Sequence, residues 1–264
     1  MNARLLHVSD LHAGTHEEGE VEQALARLVE RLEPQIVVAS GDLAHRGRRS
    51  QLERAAGLLR SLGPPVLAVP GNHDIPHTPA RFFRPWAEFE QIWATTEPTA
   101  SLPGLHVVGL NSARPFRHQG GALSGAQLEH AAQRLAEAEP GALRVVVLHH
   151  HPIGAPLRAA RKRPVSRRNH VLRTLVDAGA DLILAGHIHQ AAVSERHEFE
   201  VVGDDARAAV VAVAAGLGQP RPRRLGEARG LHLHEADADS IVVRTFHWSH
   251  GDWALGAERR FVRY

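Results

Sequence analysis

Short apolar runs alternate with segments of helical periodicity along most of the chain. Each run has the length and apolar content of a buried strand, and the hydrophobic positions between runs recur at helical spacing. Buried strands are predicted at Leu5–Val8, Gln35–Ser40, Pro65–Val69, Leu105–Leu110, Arg144–Leu148 and Asp181–Ala185. Helices are predicted at Glu20–Leu32, Arg49–Leu62, Ser124–Ala138 and Asn169–Ala178. Alternation of this kind indicates an α/β fold.

Two segments depart from this alternation. Residues 78–104 are rich in proline and aromatic residues, and we predict a helical excursion beside the strands. Its aromatic side chains are expected to belong to the core: Phe82, Phe83, Trp86, Phe89 and Trp93. From about residue 191, short β-prone runs follow one another between turns, which predicts a mostly antiparallel second sheet. Because the sequence shows neither a linker nor an internal repeat, residues 1–264 are predicted to form one domain.

Composition narrows the class of protein. A hydrophobic content of 43% and a charged content of 23% are typical of a globular chain rather than a disordered one. The N-terminus lacks an apolar segment of signal length, and no apolar run reaches the roughly 18 residues of a membrane helix. We therefore expect a cytoplasmic protein that has no membrane partner. Since the chain contains no cysteine, any bound metal must use oxygen and nitrogen ligands, and 20 histidines can supply the nitrogen.

Side chains that can bind metals follow the predicted strands where each strand ends. Asp10 and His12 follow the first strand, Asp42 follows the second, and Gly71-Asn72-His73-Asp74 follows the third. Ligands bind outside the carboxyl ends of strands in open α/β sheets, so these residues are expected to converge. Any one of them alone would more simply be a turn or cap residue. Their recurrence at successive strand ends favours a site.

Histidines close two later strands in the same way. His149-His150-His151-Pro152 follows the strand that ends at Leu148, and Gly186-His187-Ile188-His189 follows the strand that ends at Ala185. His187 and His189 are two residues apart, so their side chains leave the same side of an extended segment. That arrangement suits ligands to adjacent ions.

Taken in order, these motifs resemble those of the calcineurin-like metallophosphoesterase superfamily. The resemblance covers residues 5 to about 190, through Asp-x-His, Gly-Asp, Gly-Asn-His-Asp, a strand-end histidine and Gly-His-x-His. The segment from His149 to Pro152 and the compact length are most similar to the bacterial class III cyclic-nucleotide phosphodiesterase branch. The resemblance implies a two-sheet α/β/β/α sandwich with its site at the carboxyl ends of the strands, and it implies a metal-dependent hydrolase.

The same resemblance implies the metal ligands. The first ion would be held by Asp10, His12, Asp42 and His189, and the second by Asp42, Asn72, His150 and His187. Asp42 would bridge the two ions, and His73 would be the catalytic proton donor to the leaving oxygen. Two ions roughly 3.5–4 Å apart activate a bridging water and clamp the oxygens of an in-line displacement. The donor set accepts Mn, Fe or Zn.

Several neighbouring residues leave alternatives open. The ligand among His149, His150 and His151 is not fixed by the residues themselves, although the family pattern, counted back from Pro152, indicates His150. His149 and His151 would then face away and form the wall of the site. Asp74 is expected either to orient an imidazole or to cap its turn. His45 and His77 are expected to be exposed loop histidines, with contact to substrate phosphate as the alternative.

Two departures from the family pattern and two basic clusters bear on the substrate. Ala44-His45-Arg46 and Asn111-Ser112 stand where relatives carry other polar residues, so the polarity near the site differs.

The basic residues of the two clusters are Arg158, Arg161, Lys162, Arg163, Arg167, Arg168, Arg221, Arg223 and Arg224. They are expected to form solvated faces, with a basic rim that draws anionic substrates as the alternative.

The favoured function is hydrolysis of a small anionic phosphodiester, for which a cyclic nucleotide is one candidate. The resemblance implies attack by a hydroxide that bridges the two metals. One alternative is a nuclease that uses the same metal centre on DNA or RNA. A second alternative, a non-catalytic interaction scaffold of the same fold, is disfavoured because every ligand position is intact. The oligomeric state and the native metals are left open.

Overall fold

The computed structural model describes residues 3–15, 19–117, 119–154, 162–195, 209–218 and 228–263. Within these residues the strands form two six-stranded sheets. The first sheet contains β1 Ala3–Val8, β2 Ile36–Ala39, β3 Val66–Ala68, β10 Gly230–Ala236, β11 Ser240–Ser249 and β12 Asp252–Val262. The second contains β4 Thr99–Leu102, β5 Leu105–Leu110, β6 Leu143–Leu148, β7 Leu182–Ala185, β8 Ala192–Glu195 and β9 Val210–Val213.

Each sheet has a parallel part and an antiparallel part. The first sheet has the order β12-β11-β10-β1-β2-β3, in which β1, β2 and β3 are parallel and β10 pairs antiparallel with β1. The second sheet has the order β4-β5-β6-β7-β9-β8, in which β5, β6, β7 and β9 are parallel. The edge strands β4 and β8 pair antiparallel with their neighbours.

Helices of the described chain lie outside the two sheets, and all of them except the short helix Ala80–Phe83 contribute buried residues. They are α1 Gly19–Leu32, α2 Arg49–Ser61, α3 Ala80–Phe83, α4 Ala87–Trp93, α5 Gly125–Ala136 and α6 Arg168–Asp177. Leu28 of α1 and Leu59 of α2 pack with Leu6 of β1 in one core cluster. A second cluster joins α5 and α6 to the outer face of the second sheet, and a third, which includes Leu5 and Leu184, lies between the sheets. These layers confirm the α/β/β/α sandwich.

This layering explains why the parallel strands are almost continuously apolar. Leu5 faces the other sheet and Leu6 faces the helices, and both are fully buried. A strand that is covered on both faces carries apolar residues at every position instead of at alternate ones. The apolar runs therefore predicted the strands well, but they carried no information on which sheet each strand joins.

The prediction for residues 78–104 was wrong in two respects. Helices α3 and α4 are present, but Thr99–Leu102 is an edge strand that returns into β5 through Pro103 and Gly104. Gly104 has a φ of 73°, which suits this tight turn. Phe89 is buried, whereas Phe82 and Phe83 are 49% and 81% exposed. A helix as short as α3 does not extend far enough to bury its aromatic side chains against the core.

The prediction for the chain beyond residue 191 was also wrong in its sheet assignment. Strand β9 joins the second sheet beside β7, whereas β10, β11 and β12 extend the first sheet from the edge of β1. Short turns join β10 to β11 and β11 to β12, and such hairpin connections pair these strands antiparallel with one another. Among the described helices none is both long and apolar enough to span a bilayer.

Candidate metal centre

The predicted site residues meet where the carboxyl ends of the two sheets adjoin. Backbone hydrogen bonds align the loops that follow β1 and β2: the N–H of Asp10 donates to the carbonyl of Gly41 at 2.9 Å, and the N–H of His12 donates to the carbonyl of Asp42 at 2.9 Å. The first loop therefore runs beside the second. This alignment places the side chains of Asp10 and His12 next to that of Asp42.

Two glycines allow the loops to approach this closely. A Cβ atom on Gly71 would overlap the backbone N and the carboxylate of Asp42, although the φ of Gly71, −102°, is open to any residue. A Cβ atom on Gly186, in the second sheet, would overlap the hydroxyl of Ser9 in the first. Gly71 is thus required because any side chain would collide with Asp42, and not because of its backbone conformation.

Backbone strain is concentrated at the same place. Residues other than glycine rarely adopt a positive φ, and each such residue costs of order 1–3 kcal/mol. Most of the predicted ligands adopt it: Asp10 at 49°, His12 at 48°, Asp42 at 52°, His187 at 77° and His189 at 57°. Strain that recurs at converging strand ends indicates a functional site, because packing elsewhere must maintain it.

The first group of candidate ligands consists of Asp10, His12 and His189. One ligand atom from each lies within 4.8 Å of the others. The Nε2 of His189 is 3.2 Å from Oδ1 of Asp10 and 3.3 Å from Nε2 of His12. Oδ2 of Asp10 accepts hydrogen bonds from the Ser9 hydroxyl at 2.6 Å and the His187 N–H at 3.0 Å. Oδ1 has no hydrogen-bond partner in the described chain, and so it is available to a cation.

The second group consists of Asp42, His149 and His187, again with ligand atoms within 4.8 Å of one another. Oδ2 of Asp42 is 3.3 Å from Nε2 of His149 and 3.8 Å from Nε2 of His12. This oxygen therefore lies between the two groups. Both ring nitrogens of His187 are buried without a hydrogen-bond partner among the described residues.

The three consecutive histidines differ in direction. His149 was expected to face away from the site, and this was wrong: β6 ends at Leu148 and the chain then bends, so strand alternation no longer applies. The Nδ1–H of His149 donates to the carbonyl of Ser40 at 2.8 Å, which leaves its Nε2 facing Asp42.

His150 also points into the site. Its Nδ1 is hydrogen bonded to the Ser112 hydroxyl at 2.9 Å, its Nε2 is buried without a partner, and its ring centroid is 4.6 Å from that of His187. His151, in contrast, donates from Nδ1–H to the carbonyl of Ile153 at 2.7 Å. The end of β6 thus offers two Nε2 atoms, one from His149 and one from His150.

The Asn72–Asp74 turn, a short 3₁₀ helix, contributes in three ways. Oδ1 of Asn72 is buried without a hydrogen-bond partner in the described chain. The N–H of His73 donates to Oδ1 of Asp42 at 2.8 Å, and the Nδ1–H of His73 donates to the carbonyl of His45 at 2.8 Å. Asp74 accepts hydrogen bonds from backbone N–H groups of its own turn and of the Asp42 loop, so it caps the turn, and among the described residues it has no imidazole partner.

Half-buried histidines continue the site towards solvent. The ring of His73 lies 4.8 Å from that of His12 and 5.8 Å from that of His45. His12, His45 and His73 also bring one ligand atom each within 4.8 Å of the others. His77 is exposed, and its ring lies 6.3 Å from that of His73.

The protonation states suit metal binding. Burial opposes the ionisation of Asp10 and Asp42, but the neighbouring His189 and His149 hold the pKa of each carboxyl well below its usual range. Burial also lowers the pKa of His150 and His187 well below the usual value. Asp10 and Asp42 are thus ionised and the imidazoles of His150 and His187 neutral, which are the forms that bind metals.

His149 is the exception among the buried imidazoles. Burial opposes its protonation, but the charge of Asp42 raises the pKa of His149 to about 9. Without a cation, His149 and Asp42 therefore form an ion pair. A cation bound at Asp42 would compensate the negative charge that stabilises protonated His149, and His149 would then be neutral.

Sequence reasoning missed the serine residues that orient these side chains. Ser9, Ser40 and Ser112 hydrogen bond with Asp10, His149 and His150, respectively, Ser40 through its carbonyl. The available signal was a serine directly before each of the first two strand-end motifs, and another shortly after the end of β5. Of the predicted basic residues, Arg158, Arg161, Arg221, Arg223 and Arg224 lie outside the described part of the chain.

Comparisons with known proteins identify the family of the chain. A sequence profile of the calcineurin-like phosphoesterase family matches residues 3–191. A probable cyclic nucleotide phosphodiesterase from Synechococcus sp. is 29% identical over 168 residues, which cover 62% of this chain and 61% of that protein. A cAMP/cGMP dual specificity phosphodiesterase from Mycobacterium tuberculosis is 28% identical over 199 residues, 70% of this chain and 61% of that protein. The matched part of each relative is thus 61% of its length.

Solved structures share the fold. The purple acid phosphatase from yellow lupin (Lupinus luteus) seeds superposes with a TM-score of 0.73 at 12% sequence identity. The match covers 100% of this chain and 54% of that one. At this level of identity the likeness concerns the fold alone.

The hydrogen bonds of Asp74 generate a stability prediction. Its carboxylate accepts N–H groups of Ala44 at 2.7 Å, Gly71 at 2.8 Å and Leu43 at 3.2 Å. In Asp74→Asn, an amide N–H₂ would face at least one of these donors. We expect the free energy of unfolding in urea to fall by about 1–3 kcal/mol. Asp239→Asn, at an exposed position, is the control; equal stability of the two variants would contradict the cap.

Proposed function

Because the chain belongs to the calcineurin-like phosphoesterase family, we propose that it hydrolyses a small phosphodiester with two metal ions held at the strand ends. The observation that carries the proposal is the position of Asp42. Its Oδ2 lies between two groups of candidate ligands, is fully buried and has no hydrogen-bond partner among the described residues. A buried acceptor in this position is satisfied most simply by cations on either side.

The donor set fits a pair of ions. We assign Asp10, His12, Asp42 and His189 to the first ion, and Asp42, Asn72, His150 and His187 to the second. Unpartnered buried atoms support this assignment at Oδ1 of Asp10, Oδ1 of Asn72, Nε2 of His150 and both nitrogens of His187. Manganese, iron and zinc all accept such oxygen and nitrogen donors. Bound there, two ions would supply a water molecule of lowered pKa and positive charge for the phosphate oxygens.

His73 is the proposed proton donor to the leaving oxygen. Its Nδ1–H is fixed by the carbonyl of His45, so its Nε2 is the atom that can hold a proton for the substrate. Its backbone N–H is fixed by Asp42, which ties the imidazole to the metal centre. The side chain is half-buried, as a group that must meet both the centre and the substrate should be.

A cyclic nucleotide is the proposed small substrate. The two bacterial relatives described above are named as phosphodiesterases of cyclic nucleotides, and the candidate ligands lie within the segment that matches the family. Hydrolysis would form a bond from a water oxygen to the phosphorus, break one P–O ester bond and transfer a proton to the departing oxygen, which leaves as a hydroxyl group.

Asp42→Ala tests the metal centre. Since both ions share this carboxylate, we expect the variant to lose metal and to hydrolyse bis-p-nitrophenyl phosphate at least about 100-fold more slowly, more than the loss of an outer supporting group would cause. Metal content by elemental mass spectrometry and the steady-state rate are measured on the same preparations. Asp239→Ala should match the wild type in both. Full activity in Asp42→Ala would rule out this chemistry.

His73→Ala separates the proton donor from the ligands. We expect it to retain both ions and to lose about 10²–10⁴-fold in kcat on cyclic AMP, whose leaving alkoxide needs a proton. The loss on bis-p-nitrophenyl phosphate should be much smaller, because nitrophenolate departs without one. Equal losses on the two substrates, or loss of metal, would contradict the assigned role.

A further inference from the structure

A groove of about 580 Å³ opens beside the proposed proton donor. One wall is the segment from Arg46 to Arg49, which follows the Asp42 motif, and the other includes His77, Arg84 and Glu88. The ring of His77 is 6.3 Å from that of His73. Because His73 is assigned to the leaving oxygen, the groove lies on the side from which the leaving group departs. Its volume is in the range of small-molecule sites.

The groove carries an excess of positive charge. Arg46, Arg48, Arg49 and Arg84 line it, against the single carboxylate of Glu88. Arg49 is already occupied, since it forms an ion pair with Glu53 at 2.8 Å and donates to Gln91 at 2.8 Å. The other three arginines form no ion pair within the described part of the chain, and all three are exposed. An anion in the groove would meet guanidinium groups that are free to make bidentate contacts.

Helix α2 adds to this charge. It begins at Arg49, and its N-cap residue, Arg48, provides no side-chain hydrogen bond; the first turn contains no acidic residue. The N-terminal end of a helix carries positive partial charge and free N–H groups, and it is normally stabilised by an acidic or hydroxyl side chain. Arginines at this end oppose that preference. An anion in the groove would be attracted by the helix end and by the arginines together.

We propose that this groove binds a second phosphate of the substrate, carried by the leaving group of the phosphodiester that is cleaved at the metals. The inference rests on the proposed function and extends it from cyclic mononucleotides to linear nucleotides with two phosphates. The second phosphate is a recognition element only: water adds to the scissile phosphorus, the ester bond to the leaving group breaks, and the groove phosphate is unchanged. A cyclic mononucleotide would leave the groove empty.

The test compares substrates that differ by one terminal phosphate. The metal-loaded protein is assayed with the diadenylate ApA and with its 5′- and 3′-phosphorylated forms, pApA and ApAp. We expect kcat/KM for at least one phosphorylated form to exceed that for ApA by about tenfold or more. In Arg46→Gln/Arg84→Gln this ratio should fall towards one. The matched control, Arg27→Gln/Arg31→Gln, removes the same charge from exposed positions on α1 and should keep the wild-type ratio.

A binding measurement tests the second phosphate site independently of hydrolysis. Calorimetry on the Mn²⁺-loaded protein compares adenosine 3′,5′-bisphosphate with AMP. An arginine-dependent preference for the bisphosphate, without hydrolysis of cyclic AMP or of any diadenylate, would support the groove and refute the proposed function. No preference in either experiment, or a preference that survives in Arg46→Gln/Arg84→Gln, would overturn the second phosphate site.

Discussion

The buried carboxylate of Asp42 is the group on which the arrangement of this protein depends. One oxygen accepts the backbone N–H of His73, and the other faces imidazoles on both sides without a hydrogen bond among the described residues. Burial of this charge is unfavourable, the ion pair with His149 offsets part of that cost, and the positive φ of Asp42 adds about 1–3 kcal/mol of strain. The packing of the two sheets maintains this strained geometry, and bound cations would compensate the buried negative charge.

Each sheet supplies part of the centre, so the site exists only when the sheets pack together. The first contributes Asp10, His12 and Asp42, and the second contributes the histidines that follow β6 and β7. The segment that follows Asp42 then forms one wall of the basic groove and leads into α2. A single loop thus connects the proposed bridging ligand to the surface that we propose recognises the rest of the substrate.

Much of the fold and of the candidate site could be predicted from the sequence, whereas the other features depend on tertiary contacts. The apolar runs located the parallel strands, and the polar residue after each strand marked the edge where they meet. The same runs, buried on both faces, could not show that β10 to β12 extend the first sheet. The direction of His149 depends on a bend after β6, and the groove depends on Arg46 approaching Arg84, so neither has a local signal.

The most direct measurement is anomalous X-ray diffraction from crystals of the wild-type protein loaded with Mn²⁺. Two peaks about 3.5–4 Å apart, one on each side of the Asp42 carboxylate, are expected for a two-ion centre. The peak nearer to the end of β6 would also show which of His149 and His150 is the ligand. A single peak, or peaks that do not contact Asp42, would contradict the shared carboxylate.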